Sequence, residues 1–212
     1  WGEEHGGLAL GYKGLGVVTE ETGRTLTASA LFASVWVGGT LVNIGGSQSL
    51  KAEILPRVAA GELKLALALE ESHRHNPYNI ATSASSSAAG FAISGKKTFV
   101  LDGHTADKLI VVARTSEEQQ ARAGLTLFMV DRHAPGVSVT RTIMADSRNT
   151  ANVSLDNVAV SADAVIGTVD GGADILDPAL DIARIGLSAE MLGGTLECFE
   201  RTVAYLKERK QF

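Results

Sequence analysis

Acidic and histidine side chains are concentrated in one short stretch of this 212-residue sequence, ESHRH at positions 71–75. His73 and His75 stand beside Glu70 and Glu71, and imidazole and carboxylate groups can bind a divalent metal when further ligands come from elsewhere. An H-x-H pair alone is unspecific. A surface turn is therefore favoured over a metal centre, and the sequence predicts no metal site.

Other candidate side chains give no catalytic arrangement that spacing alone could identify. The glycines of GYKGLG are spaced wrongly for a dinucleotide-binding turn, and no strand precedes them. Lys96 and Lys97 follow a predicted turn, where solvated lysines are ordinary and a phosphate contact is a secondary option. The remaining histidines stand alone in turn-like contexts: His5, His104 and His133.

Composition narrows the classes of partner and the cellular setting. A net charge of -5 and a pI near 5.5 provide no basic face for nucleic acid. Cys198 is the one cysteine, so an intrachain disulfide is impossible and a reducing, cytoplasmic setting is favoured. The longest nearly continuous apolar run, LKLALALE, is too short to cross a bilayer, so no membrane insertion is expected.

Periodicity divides the chain into three parts and predicts an α+β multidomain protein. Residues 1–64 read as an N-terminal helical domain, in which Pro56 should kink or divide a helix. Residues 65–168 alternate in short runs between turn signals such as Ser94-Gly95, which predicts a middle domain built as an antiparallel β-barrel or sandwich. Within it, ATSASSSAAG at 81–90 is interpreted as a mobile surface connection.

The last part, residues 169–212, is predicted to be the first helix of a C-terminal helical bundle. The pair Gly193-Gly194 would weaken that helix unless it lets another backbone come close. We expect the partners of this helix to be absent from the sequence or to belong to another subunit. Its apolar residues recur at steps of three and four: Ile182, Ile185, Ala189, Leu192, Leu196, Phe199, Val203 and Leu206.

Seven landmarks in order make the sequence resemble the acyl-CoA dehydrogenase family. They are EEHGGLALG, EETGRTL, LPRVAAGELKLALALEE, FAISGKKTFVLDGHTADKLIVVART, LTLFMVDRHAPGV, VSLDNVAVSADAVIG and YLKERKQF. The resemblance implies N-terminal helices, a β-barrel and a four-helix bundle, with FAD between barrel and bundle. It also implies α,β-desaturation of an acyl-CoA thioester, in which a glutamate removes the α-proton and a hydride passes to flavin N5.

The resemblance assigns flavin contacts to two segments, with several departures from the family pattern. In LEESHRHN, Leu69 replaces a flavin-bonding threonine, Glu70 matches the family's acid, and His75 replaces a pyrophosphate-binding serine. In GKKTFVLDG, Phe99 takes the place of a flavin-facing tryptophan and Leu101 that of a threonine. Stacking is retained in Phe99, whereas a hydrogen bond near N5 is lost.

The C-terminal segment is assigned to substrate and cofactor by the same resemblance. Arg184 matches an arginine beside the acyl site, although an ion pair with Asp181 or Glu190 would explain it equally well. Ala183 occupies a position where some members carry the catalytic glutamate, so we expect the base beyond residue 212. The last matching residues, assigned to a neighbouring subunit's FAD, are Arg209, Gln211 and Phe212. Arg209 at a helix C-terminus could instead complement the helix dipole.

The resemblance implies acyl-CoA as substrate, an electron-transfer flavoprotein as acceptor, and a homotetramer or another homo- or hetero-oligomer. YLKERKQF is interpreted as a cut in mid-helix, so the chain alone is expected to be inactive. Two other functions stay open on the same fold: an FAD-poor structural subunit of a heteromeric dehydrogenase, and a flavin oxidase or monooxygenase.

Overall fold

The computed structural model of the chain describes residues 1–88, 90–146 and 148–211. The N-terminal part contains a 3-10 turn, Glu3–His5, then α1, Gly11–Arg24, and a π-helix, Phe32–Gly39, which runs directly into α2, Thr40–Gly45. Helix α3 spans Gln48–Ala59, and the long α4 spans Gly172–Glu208. None of the helices in the described part of the chain has the length and apolarity that crossing a membrane would require.

Eight strands lie between α3 and α4 and form one sheet. Their order across the sheet is β6-β7-β3-β2-β4-β5-β8, with β1 paired to β4. A second 3-10 turn, Ala162–Ala164, precedes the last strand. The strand bounds are β1 Leu65–Ala68, β2 Ser83–Ser87, β3 Gly90–Leu101, β4 Lys108–Arg114, β5 Leu125–Asp131, β6 Val137–Ile143, β7 Asn149–Val160 and β8 Val165–Ile166.

The predicted closed antiparallel barrel is wrong in two respects. Among the described residues the sheet is open, since β6 and β8 end the ladder without pairing to each other. It is also mixed, because β1 and β2 run parallel to β4. A chain that enters the sheet from α3 and returns through an extended loop can place these two strands alongside β4, a choice that alternation of side chains does not reveal.

Two local predictions are also corrected. The stretch predicted as a mobile connection forms β2, because its backbone pairs with β3 from Ser83↔Ser94 to Ser87↔Gly90 even though it offers few apolar side chains. The predicted turn at Ser94-Gly95 lies inside β3, at an irregularity in the pairing with β7.

Pro56 does not divide the helix that contains it. It lies within α3, which continues to Ala59.

Both faces of the central strands are buried, in two separate apolar cores. In β4, Ile110 and Val112 belong to the core that the sheet shares with the helices. Leu109 and Val111 belong to the second core, which is formed by strand residues. The next strand divides in the same way, and Phe128 packs edge-on against Phe91 at 5.1 Å between ring centroids. Strand alternation therefore lets one sheet anchor the helices and close a core of its own.

Helices α1 and α4 pack closely because small residues line the contact. A Cβ on Gly193 would lie 1.9 Å from the carbonyl oxygen of Glu20, and one on Gly23 would lie 2.1 Å from that of Glu190. The expectation that this glycine pair admits another backbone is confirmed for Gly193, and the partner belongs to the same chain. The buried residues of α4 are Gly172, Ala173, Ile175, Leu176, Ala179, Ala183, Gly186 and Gly193.

The predicted apolar stripe on α4 is only partly covered within the described residues. Ile182 packs against the helical core, whereas Ile185, Leu192, Phe199 and Leu206 are exposed. The buried seam runs beside this stripe, because the small residues allow closer approach than the large ones. Helix α4 also ends at Glu208, so the predicted continuation of the helix to the last residue is wrong.

Neighbouring glycines of α4 should respond oppositely to alanine. Gly193→Ala should lower the free energy of unfolding by more than about 1 kcal/mol, because the added Cβ would overlap the α1 backbone. Gly194→Ala is the matched control: the nearest atom to its Cβ is 3.6 Å away, so higher helix propensity should raise stability by about 0.5–1 kcal/mol. Urea unfolding measures both, and equal effects would contradict the close contact.

Candidate functional site

Phe99 is held in a strained backbone conformation at an irregularity of β3. The pairing of β3 with β7 shifts register between Lys97 and Val100, and Phe99 has φ 50°. Positive φ in a bulky residue costs about 1–3 kcal/mol and is found mostly at functional positions. The ring is 41% exposed and meets His73 edge-on at 6.2 Å. The bulge therefore presents an aromatic face that regular pairing would have turned elsewhere.

A buried ion pair lies directly beneath this bulge. The Nζ of Lys97 donates to Oε1 of Glu71 at 2.7 Å and to the carbonyl oxygen of Leu69 at 3.1 Å. The same carboxylate accepts the backbone N–H groups of Ala81 at 2.6 Å and Thr82 at 3.0 Å. One carboxylate and one ammonium thus join β3, the end of β1 and the entry to β2.

Burial and pairing shift both pKa values of this ion pair. Burial lowers the pKa of Lys97 to about 8, although the charge of Glu71 and their hydrogen bond act in the opposite direction. Burial acts to raise the pKa of Glu71, yet Lys97 and the amides of Thr82 and Ala81 hold it below its usual range. The prediction that Lys97 is a solvated lysine is wrong, because strand alternation places its side chain on the same buried face of β3 as Ile93.

Glu70 and His75 close the loop that follows β1. Nδ1 of His75 lies 2.5 Å from Oε1 of Glu70, whose Oε2 accepts the N–H of Asn76 at 3.3 Å. The carbonyl oxygen of Glu70 accepts the N–H of Thr98 at 2.7 Å, which places this loop beside Phe99. Three of the predicted residues, Glu70, His75 and Phe99, are therefore brought together by β1 and β3.

The two leucines assigned to the flavin have different surroundings. Leu69 is 5% exposed and packs in the core shared with the helices. Leu101 ends β3, opposite Thr150 of β7, and is half-buried. Leu69 therefore packs in the core directly before the loop, and Leu101 is a half-buried apolar residue two positions after Phe99.

The predicted residues at the chain's end lie on or after α4. Arg184 is exposed and bonds to Asp181 at 2.5 Å, while Glu190 pairs instead with Arg148. No hydrogen bond or ion pair among the described residues joins Arg184 to the loop around Glu70. The guanidinium of Arg209 lies 5.5 Å from the centroid of its own helix's Tyr205 ring.

Gln211 is exposed, and no hydrogen bond of its side chain is found among the described residues, while Phe212 lies outside those residues. The structure therefore leaves the predicted roles of both as predictions.

The chemistry of this loop suits a planar, phosphate-bearing ligand better than a metal. Phe99 provides an aromatic face, and His75 provides an imidazole whose Nδ1 is hydrogen-bonded to Glu70. Across residues 1–88, 90–146 and 148–211, acidic, histidine and cysteine side chains form no group of three or more that could hold a metal ion. The residues present thus fit a flavin on its ring side, with an altered phosphate contact.

Removing one member of the buried pair should be worse than neutralising both. Lys97→Met leaves the Glu71 carboxylate buried without its counter-ion and should cost about 3–5 kcal/mol in the free energy of unfolding. Lys97→Met with Glu71→Gln keeps an acceptor for the Ala81 and Thr82 amides and should cost less than half as much. Lys96→Met, at an exposed neighbour, is the control. A double variant less stable than the single one would refute this account.

The buried lysine should also give a pH signature. Folded Lys97 releases its proton near pH 8, whereas an unfolded lysine does so near 10.4, so the unfolded state binds more protons in between. The free energy of unfolding of the wild type should therefore rise with pH over this window, relative to Lys97→Met. Unfolding curves at pH 8, 9 and 10 measure the difference, and no change with pH would contradict it.

Comparison with known proteins adds a family to this geometry. The model for the acyl-CoA dehydrogenase N-terminal domain matches residues 1–62, and the model for the acyl-CoA dehydrogenase middle domain matches residues 66–158. Acyl-CoA dehydrogenase FadE12 of Mycobacterium tuberculosis is 32% identical over 212 residues, covering 98% of this chain and 55% of the relative. The chain therefore spans about half the length of the curated relatives it matches.

Solved structures of similar proteins have the same fold as this chain. The glutaryl-coenzyme A dehydrogenase glutaryl-CoA complex superposes with a TM-score of 0.91 at 25% identity, over 100% of this chain and 55% of that one. A structure described as the FAD complex of PigA has the same fold, with a TM-score of 0.89 at 24% identity over 100% of this chain and 57% of that one. With two domain models matching in order, the chain belongs to the acyl-CoA dehydrogenase family.

Proposed function

We propose that this chain forms part of an FAD-dependent acyl-CoA dehydrogenase that introduces an α,β double bond into an acyl-CoA thioester. The observation that carries the proposal is Phe99, whose strained backbone presents an aromatic face beside the Glu70–His75 loop. Bound FAD would supply the acceptor for the hydride that leaves the β-carbon. Family membership and the structurally similar glutaryl-CoA complex support the substrate class.

Each residue of the site has a stated role in this proposal. Phe99 stacks against the ring system, and Leu101 keeps water from its edge. His75, oriented by its contact with Glu70, donates a hydrogen bond to a phosphate oxygen where the family uses a serine. Leu69 fixes the loop from within the core. The carboxylates of this loop are already engaged, Glu70 with His75 and Glu71 with Lys97, so neither is free to remove the α-proton.

The roles proposed for the C-terminal segment involve acyl-CoA and the FAD of another subunit. Arg184 orients the acyl-CoA when its ion pair with Asp181 opens, and Arg209 with Gln211 and Phe212 reaches the FAD of another subunit. The oligomer, the electron-transfer flavoprotein partner, the three-domain division at 64 and 168 and the cytoplasmic setting stay predictions.

A second candidate function is that of a subunit that contributes fold and interface to a heteromeric dehydrogenase without holding FAD itself. The observation that favours it is the buried Leu69 side chain in place of a flavin-bonding hydroxyl, together with the Glu70 carboxylate beside His75, the proposed phosphate contact. A carboxylate in that place disfavours a phosphate group by like-charge repulsion.

Absorption spectra of the purified full-length protein test the two functions, because the present chain alone is expected to be inactive. A yellow protein that bleaches when an acyl-CoA is added anaerobically supports the dehydrogenase. A colourless protein that becomes yellow only with a partner chain would overturn it in favour of the heteromeric subunit. Bleaching that reverses rapidly in air would overturn it in favour of an oxidase.

Substitution of Phe99 tests the stacking role by flavin affinity. Phe99→Ala should weaken FAD binding about three- to tenfold, because an aromatic contact contributes roughly 0.5–1.5 kcal/mol, while Phe99→Trp should retain it. Equilibrium dialysis measures the affinity independently of turnover. Phe199→Ala, at an exposed ring on α4, is the matched control. Unchanged affinity in Phe99→Ala would remove Phe99 from the flavin site.

A further inference from the structure

Three basic side chains from separate elements lie around the turn that follows β3. His104 lies between β3 and β4, Arg132 lies between β5 and β6, and Arg141 lies within β6. The N–H of Arg132 donates to the carbonyl oxygen of Asp107 at 3.2 Å, which joins the first two turns. Arg141 is opposite Ala151 in β7, and Ala151 is in turn opposite Val100, near the end of β3.

Two of these side chains have buried nitrogens that lack a partner. Nδ1 of His104 and Nε of Arg132 are inaccessible to solvent and make no hydrogen bond with the described residues. Buried donors are normally satisfied, so each such atom calls for an explanation. The terminal guanidinium nitrogens of Arg132 are absent from this buried set and have no protein partner in the described part of the chain. They are therefore accessible donors next to an immobilised stem.

Two carboxylates in these turns have other partners. Asp107 lies 3.4 Å from Nζ of Lys64 and accepts the backbone N–H of Lys64 at 2.7 Å. Asp131 accepts the backbone N–H of His133 at 2.8 Å. Among the described residues, neither carboxylate forms an ion pair with Arg132.

The arginines likewise lack carboxylate partners. Within the described residues neither Arg132 nor Arg141 forms an ion pair, and Arg141 makes one long hydrogen bond, 3.4 Å, to Oδ1 of Asn149. Burial lowers the pKa of His104, and the nearby charges of Arg141 and Arg132 lower it further. The two arginine charges therefore disfavour a cationic His104, and an anion between the three side chains would relieve this repulsion.

We propose that His104, Arg132 and Arg141 bind a phosphate-type oxyanion, either free or as the phosphate of an ester. A guanidinium matches the spacing of two phosphate oxygens with two parallel hydrogen bonds, and an imidazole can donate a third. The structure assigns this site to three elements whose spacing in the sequence gives no hint of their meeting.

The turn that contains His104 and contacts Arg132 is separate from the loop around Glu70. The N–H of Asp107 donates to the carbonyl oxygen of Lys64, at the start of β1, whereas Glu70 follows the end of that strand. Extended chain from Lys64 to Glu70 covers roughly 20 Å. Arg141 is level with Val100, the residue after Phe99, so the third arm of the site lies nearer to the proposed flavin contact.

Calorimetric titration of the purified protein with inorganic phosphate, at constant ionic strength in chloride, tests the proposal. Saturable binding is expected for the wild type, and Arg141→Gln should weaken it about tenfold by removing charge-assisted hydrogen bonds. Arg141 is exposed on an edge strand, so this variant should fold. Arg57→Gln, at an exposed arginine of α3, is the matched control and should bind like the wild type.

A parallel titration with adenosine monophosphate distinguishes the two sources of the phosphate group. Tighter binding than inorganic phosphate assigns the site to a phosphate ester, and weaker binding assigns it to the free anion. Absence of saturable phosphate binding in the wild type, or equal affinities in the wild type and Arg141→Gln, would overturn the proposal.

Discussion

The buried contact between Lys97 and Glu71 is the constraint on which the sheet and the candidate site both depend. Glu71 binds two backbone amides at the entry to β2, and Lys97 binds the last carbonyl before the loop that carries Glu70. A buried charge without its partner is costly, so the pair holds these segments together, and the bulge in β3 follows directly after Lys97. Phe99 owes its exposed ring to that bulge.

Close packing by small residues holds the helices together, as the ion pair holds the strands together. Glycines at the crossing of α1 and α4 let the two backbones touch, and Gly186 lies against the ring of Trp36. The indole N–H of Trp36 in turn donates to Thr19 of α1 at 2.8 Å. These contacts hold the middle of α4 against α1 and the π-helix. The exposed large apolar side chains of α4, such as Phe199 and Leu206, lie outside them.

The loop after β1 and the turn after β3 differ in how their charged side chains are paired. In the loop, Glu70 contacts His75 and Glu71 pairs with Lys97. Around the turn, Arg132 and Arg141 form no ion pair in the described part of the chain. The proposed flavin contact lies beside the loop, and the proposed oxyanion site lies around the turn.

Sequence alone determined the order of helices, sheet and long helix, since side-chain periodicity depends on local geometry. It also identified the family and the segments containing Glu70, His75 and Phe99, because ordered motifs survive where single residues change. Only the tertiary structure decided that the sheet is open and mixed, that the serine-rich stretch is β2, and that Lys97 is buried. Those features follow from pairing between segments distant in the chain, and a single bulge reverses which side chains face the core.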